Sequence, residues 1–210
     1  MNKPSYYQQQ RAEILRIIET PPTRVLDIGC GKGGVATTLR QSYKDLSISG
    51  FDKYKDNNFD YAKVFDSFHN FDLDLDDQWP EIDYRAFDLV LLLDVLEHLV
   101  DPRVVLRKLS QLVSPSAKLM ISLPNFHFYS NLYEIVKSGR FQYRDSGILD
   151  RTHLRFFGQI DAREMISEYF SVEKFMPYQL HSTTTSKLVQ LTLGDKYAAY
   201  QNVFMCGMKK

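Results

Sequence analysis

The chain has 210 residues, 44% hydrophobic and 25% charged, with 26 basic side chains balanced by 26 acidic ones. That composition excludes a mainly disordered chain, and zero net charge excludes a global field drawing it onto nucleic acid. The longest apolar runs, such as residues 89–93, fall far short of the roughly 20 residues that span a bilayer, and Cys30 and Cys206 stand too far apart for a zinc or disulfide framework. The length suits one domain over residues 1–210, and the polar N-terminus lacks the apolar core of a signal peptide, so a reducing, cytoplasmic setting is expected.

In chain order, a helix is predicted over residues 6–19, stopped by Pro21-Pro22. Residues 24–28 read as a short buried strand, four glycines follow (Gly29, Gly31, Gly33, Gly34), and residues 35–40 open a helix. Strand, tight glycine turn and helix form the first unit of a doubly wound nucleotide-binding sheet, because glycine tolerates positive φ and admits a ligand close to the backbone. Further strands are expected at 46–51, 67–71, 87–93 and 118–123, the third of these continuously apolar as a strand buried on both faces should be. A helix at 102–113 is started by Asp101 as cap and Pro102 at its first position. After an interruption at 124–158, itself holding a helix at 129–138, come a helix at 161–169, a strand at 171–176, a helix at 184–193 and a strand at 202–208. The alternation predicts an α/β fold built on a seven-stranded, mainly parallel, doubly wound sheet.

Two ligand classes fit the glycines. Gly29, Gly31 and Gly34 satisfy G-x-G-x-x-G, the dinucleotide pattern, while Gly29, Gly31 and Gly33 satisfy G-x-G-x-G with Asp27 two residues ahead. A carboxylate there repels a pyrophosphate and favours a cation such as the ammonium or sulfonium of S-adenosyl-L-methionine. Alternatively, Asp27 caps its own loop.

The segment Val-Leu-Asp-Ile-Gly-Cys-Gly-Lys-Gly at 25–33 resembles the first motif of class I S-adenosylmethionine-dependent methyltransferases, and Phe-Asp-Leu-Val-Leu-Leu-Leu-Asp-Val-Leu-Glu-His-Leu at 87–99 is similar to their fourth-strand motif. The Leu-Glu-His variant resembles the branch holding ubiquinone-pathway O-methyltransferases and small methyltransferases of polysaccharide clusters. The resemblance implies a Rossmann-like sheet with its last strand antiparallel, and the length and aromatic content of the interruption at 124–158 add a helical, aromatic lid. It further implies S-adenosyl-L-methionine as cofactor, S-adenosyl-L-homocysteine as product, and a donor site formed by Tyr7, Asp27, Gly29, Cys30, Gly31, Gly33, Asp52, Lys53, Asp72, Leu73, Leu93 and His98. In that set Asp52 takes the ribose hydroxyls, Asp72 the adenine amino group (with Asp74 as rival), the Leu93 carbonyl holds the methionine ammonium, and Tyr6 and Tyr7 either close over the methionine end or pack an amphipathic helix.

A hydroxyl acceptor benefits from a general base, and histidine matches neutral pH. His98 follows the fourth strand at the ligand-binding edge of the sheet, whereas His69 and His181 stand outside any motif. Residues 124–157 hold eight aromatics in 34 positions, together with Arg140, Arg144, Arg151 and Arg155. Such a lid suits a sugar or phosphorylated acceptor, or it merely forms a satellite core. The run Gly-Ile-Leu-Asp-Arg-Thr-His-Leu-Arg-Phe-Phe at 147–157 is similar to a signature of the polysaccharide-associated enzymes. It implies Asp150, Arg151 and His153 near the acceptor, with His153 as first candidate for base or acceptor-orienting group and His127 and His98 as the others, while the lid's aromatics and arginines offer Tyr129, Tyr133 and Arg155 as further acceptor contacts. No metal is expected, although Asp94-x-x-Glu97-His98 with His153 resembles a cluster that binds a divalent ion in some relatives. The expected reaction is methyl transfer to oxygen, with nitrogen second, of a small sugar-like or lipid-linked acceptor by a monomer or homodimer without nucleic acid or membrane span. The alternatives are an NAD(P)-dependent oxidoreductase, although a second catalytic domain is lacking, and a non-catalytic S-adenosylmethionine-binding subunit.

Overall fold

The computed structural model describes residues 11–75, 78–180 and 184–209. Short runs of branched and aromatic residues give the strands β1 (Arg24–Ile28), β2 (Ser47–Asp52), β3 (Ser67–Asn70), β4 (Leu89–Leu93), β5 (Lys118–Pro124), β6 (Phe170–Leu180) and β7 (Ala199–Met208). They form one sheet in the order β3-β2-β1-β4-β5-β7-β6. The first five pair in parallel, and β7 runs antiparallel to both β5 and β6, which places the expected antiparallel last strand inside the sheet.

The helices are α1 (Gly34–Ser42), α2 (Pro102–Leu112), α3 (Tyr129–Ser138), α4 (Gln159–Ser167), α5 (Thr184–Leu193) and the short α6 (Asp195–Ala198). Asp101 caps α2 as its sequence demands, its Oδ1 accepting from the Arg103 N–H at 3.0 Å.

The period of two in β4 divides the core. Val90 and Leu92 point to the side packed by Val105, Leu106 and Leu109 of α2 and Ala162, Met165 and Ile166 of α4. Leu89, Leu91 and Leu93 point to the other side, against Ala36 and Leu39 of α1 and the N-terminal Ile14 and Ile17. With helices on both faces, all five β4 side chains are buried, each worth about 1.5–3 kcal/mol of burial.

The expected N-terminal helix is corrected where it can be seen. Residues 1–10, with Tyr6 and Tyr7, lie outside the described residues, and Ala12–Arg16 form a 3₁₀ turn. Ile14 and Ile17 are both buried, and their spacing of three suits the tighter turn. Strand β6 also runs further than predicted, to Leu180, because β7 pairs with it along its length across a bulge between Val172 and Lys174. Among the described residues, no helix is long and apolar enough to cross a membrane.

Candidate active site

Strand order reverses between β1 and β4, so the connections leaving their C-terminal ends part to opposite sides and open a crevice. The turn after β1 needs left-handed backbone at Gly29 (φ +75°), Gly31 (φ +54°) and Gly33 (φ +74°). It is held by the Gly29 and Cys30 N–H groups, which donate to the Phe51 carbonyl at 2.8 and 3.1 Å, and by the Gly31 N–H, which donates to Asp52 Oδ2 at 2.8 Å. A Cβ on Gly33 would lie 2.3 Å from Val64 Cγ1, so Gly33 packs beneath the loop and does not line the cavity.

The crevice is a cavity of about 770 Å³, within the range of small-molecule sites. Asp27, Gly29, Cys30, Gly31, Asp52, Lys53, Asp72, Leu73, Leu93 and His98 all line it, as do Asp150, Arg151 and His153 from the segment 124–158. Tyr7 lies outside the described residues. Asp27 is buried, and its Oδ2 has no hydrogen-bond partner. Burial lifts its carboxyl to about 7, the neighbouring Asp52 charge adds to this and Arg11 opposes it. Burial also raises Asp52, against the pull of the Tyr54 and Gly31 N–H groups. The Cys30 thiol is pushed far up by burial, which leaves it without thiolate character.

Four positions of the segment 124–158 stand elsewhere. His127 packs against Gly158 and the Tyr197 ring, and Tyr129 against Phe128 in a satellite cluster. Tyr133 is 62% exposed under Lys137. Arg155 turns outward, its Nη2 donating to the Val100 carbonyl at 2.5 Å. Aromatic composition marked the lid but carried no information on which face each ring takes.

Two histidines meet where the sequence placed them 55 residues apart. The His98 and His153 rings stand edge to face, with centroids 4.7 Å apart. His98 Nδ1 lies 3.1 Å from the Thr152 carbonyl, and His153 Nδ1 lies 3.0 Å from that of Ile148. A carbonyl only accepts, so each Nδ1 carries the proton and each Nε2 presents a lone pair. Burial lowers both imidazoles below 6.5, with mutual repulsion acting next on His98, which keeps the pair neutral at pH 7.

Beside them Glu97 is 1% exposed, and neither carboxylate oxygen has a partner. Burial pushes its carboxyl up to about 8. Ligand atoms of Glu97, His98 and His153 all lie within 4.8 Å of one another. An orphaned buried carboxylate with two imidazole lone pairs is a donor set that fits a divalent transition ion. Asp94, which the sequence grouped with them, is engaged elsewhere: it pairs with Arg11 and accepts from Ser122 Oγ at 2.8 Å and from Gln201 Nε2 at 3.0 and 2.8 Å. Arg11 and Gln201 line the cavity and escaped the sequence reading. Arg11 sits in a segment that looked like an ordinary amphipathic helix, and Gln201 reaches the site only because β7 inserts beside β5.

The comparisons with known proteins agree with this geometry. A ubiquinone biosynthesis O-methyltransferase of Coxiella burnetii is 30% identical over 115 residues, covering 53% of this chain and 48% of that protein. The chain thus spans about half the length of the curated relatives it matches first. In overall shape it is similar to the PH0226 protein of Pyrococcus horikoshii (TM-score 0.63, 17% identity, 99% of this chain and 93% of that one). It is also similar to the N-methyltransferase NodS of Bradyrhizobium japonicum, solved in complex with S-adenosyl-L-homocysteine (TM-score 0.60, 14% identity, 99% and 90%). The sequence profile described as "Methyltransferase domain" matches residues 3–168. The chain therefore belongs to the methyltransferase-domain family and carries the fold of its solved methyltransferase relatives.

Proposed function

We propose that this chain moves the methyl group of S-adenosyl-L-methionine to an oxygen, with nitrogen as second choice, of a small acceptor held between the crevice and the lid. The observation that carries the reading is the buried, unpartnered carboxylate oxygen of Asp27 beside the glycine turn. That charge opposes a diphosphate and is satisfied by the donor's cationic end. Asp52 faces the ribose hydroxyls, and Asp72 with Leu73 faces the adenine.

The donor's sulfonium supplies an already activated methyl group, so the chain's work is alignment and exclusion of water. The acceptor oxygen attacks the methyl carbon in line, the carbon–sulfur bond breaks, and a neutral thioether remains. The acceptor's proton passes to His153 Nε2, whose Nδ1 is fixed on the Ile148 carbonyl. An oxygen acceptor is favoured by this neutral, buried imidazole, and the Coxiella relative's name points the same way. The aromatic shelf of Phe126, Phe141, Tyr143 and Phe156 adjoins His153, which suits a sugar ring or the apolar part of a lipid-linked acceptor.

A second reading of the acceptor side has its own support in the orphaned Glu97 oxygens. A divalent ion held by Glu97, His98 and His153 would polarise the acceptor oxygen and lower its pKa. Loss of activity on chelation, restored by manganese or another divalent transition ion, selects this reading; activity indifferent to chelation selects His153 as the base.

Calorimetry with S-adenosyl-L-homocysteine and with NAD on one preparation tests the central reading. Binding of the first alone is expected. Binding of NAD alone would move the chain to the oxidoreductases. Binding of the first without methyl transfer to hydroxyl or amine acceptors of the sugar and lipid-linked kinds would favour a non-catalytic subunit.

A further inference from the structure

Asp27, Asp94 and Glu97 are three buried carboxylates around one end of the cleft, and the Arg11 guanidinium interacts with all three. How Arg11 is held is therefore a question of function. Its Nη1 donates to Ser122 Oγ at 2.8 Å, and its Nη2 pairs with Asp94 Oδ2. Ser122 Oγ in turn donates to Asp94 Oδ1 at 2.8 Å, and Gln201 Nε2 donates to both Asp94 oxygens at 3.0 and 2.8 Å. The Asp94 N–H closes the ring on the Ser122 carbonyl at 3.1 Å. Asp94 itself sits at φ +57°, a left-handed conformation that a non-glycine residue keeps only where its surroundings over-determine it. Four segments remote in sequence (residues 11, 94, 122 and 201) thus meet on one buried carboxylate.

This arrangement does more than neutralise Asp94. The donor's amino-acid end carries an ammonium and a carboxylate. Asp27 and the Leu93 carbonyl suit the ammonium, but the same acids repel the carboxylate. Of the other cations lining the cavity, Lys53 adjoins Asp52 at the ribose end, and Arg151 donates to Asp145 on the lid at 2.6 Å. Arg11 is left to meet the carboxylate. A guanidinium has five donors in a fixed plane, so bonds to Asp94 and Ser122 fix its orientation and leave further N–H groups for a ligand.

We propose that Asp94, supported by Ser122 and Gln201, is a positioning residue that presents Arg11 to the carboxylate of the methyl donor. The assignment deepens the donor reading and rests on it. It also explains why Asp94 stands apart from the Glu97, His98 and His153 set.

The test compares S-adenosyl-L-homocysteine with its decarboxylated analogue, S-adenosylthiopropylamine, by calorimetry. Asp94→Asn keeps the side-chain shape and tolerates the left-handed backbone while removing the charge that orients Arg11. It is expected to weaken S-adenosyl-L-homocysteine by about 10-fold and the analogue by less than about 2-fold, the charged contact being the part lost. Equal weakening of both ligands, or of neither, overturns the proposal, because a merely structural role does not distinguish ligands by one carboxylate. Should Asp94→Asn fail to fold, Gln201→Met takes its place, with an expected selective loss of about 3-fold from one neutral bond partner removed. Equal losses there are equally fatal. If the unaltered protein binds neither ligand, the donor reading falls and takes this proposal with it. If it binds both and the variants do not discriminate, the positioning role alone falls.

Discussion

Replacing Asp27 by asparagine removes a charge while keeping shape, and the consequences can be worked from the burial of that side chain. In the free chain the carboxyl is raised from 3.8 to about 7, and at about 1.4 kcal/mol per unit that is roughly 4 kcal/mol against ionisation in the empty cleft. The folded chain holds this proton more tightly than the unfolded one, so its contribution to stability is present at low pH and is lost as pH rises from 3.8 through about 7. Between pH 5 and pH 8 the loss is about 2–3 kcal/mol, or a fall of about 5–10 °C in melting temperature for a chain of this size. Asp27→Asn is expected to lack that fall. Donor binding has the opposite slope, because the cationic donor pairs with the ionised carboxylate and binding below pH 7 must expel a proton. Affinity of the unaltered protein for S-adenosyl-L-methionine should rise about 10-fold from pH 6 to pH 8 and then level off. The variant should bind about 10- to 100-fold more weakly at pH 8, with no such slope. Thermal melts and calorimetry at pH 5, 6, 7 and 8 measure both effects. Identical melting profiles and equal affinities in the two proteins would refute the claim that this carboxylate is an unpaired charge awaiting a cation.

Three further outcomes follow from the geometry. Asp52→Ala should weaken S-adenosyl-L-homocysteine by about 1–3 kcal/mol in calorimetry, since it removes the acceptor of the Gly31 N–H and the proposed ribose contact together; an unchanged affinity would place the ribose elsewhere. Gly33→Ala forces a Cβ into left-handed backbone at 2.3 Å from Val64 Cγ1 and 3.0 Å from Phe65 Cζ, and should destabilise the fold by about 2–4 kcal/mol; an unmoved urea midpoint would contradict it. His153→Ala should lower kcat by about 100- to 10,000-fold with donor affinity kept. Because burial depresses this imidazole below 6.5, activity of the unaltered enzyme should persist at pH 6.5 and fall only at more acid pH; a fall already centred above pH 7 would exclude His153 as the base.

The sheet was legible because its signals are local. A short continuous apolar run such as 89–93, alternating with helical segments, suits a strand covered on both faces, and four glycines within six residues after a strand leave few backbone paths. The donor side of the crevice followed, since Asp27 and Asp52 stand at fixed offsets from that turn. The acceptor side did not follow as well. His98 and His153, singled out by the Leu-Glu-His and Thr-His-Leu runs, line the cavity, but Tyr129, Tyr133, His127 and Arg155 were assigned to it by composition, which is blind to the direction a side chain takes. Arg11 and Gln201 were invisible for a different reason. Each reaches the site through a pairing set by the whole topology, and nothing in their neighbours announces it.

The position of β7 bears on how this molecule comes to exist at all. β7 follows β5 and β6 in the chain and must slot between them, and until it does, β5 lacks a neighbour on that side and β6 is not joined to the sheet. A nascent polypeptide that has emerged only as far as residue 198 therefore possesses the glycine turn and both histidines, yet has no Gln201 to complete the ring around Asp94. Completion of the ring around Asp94 is thereby made contingent on the insertion of β7, and a chain that has not yet placed that strand lacks it.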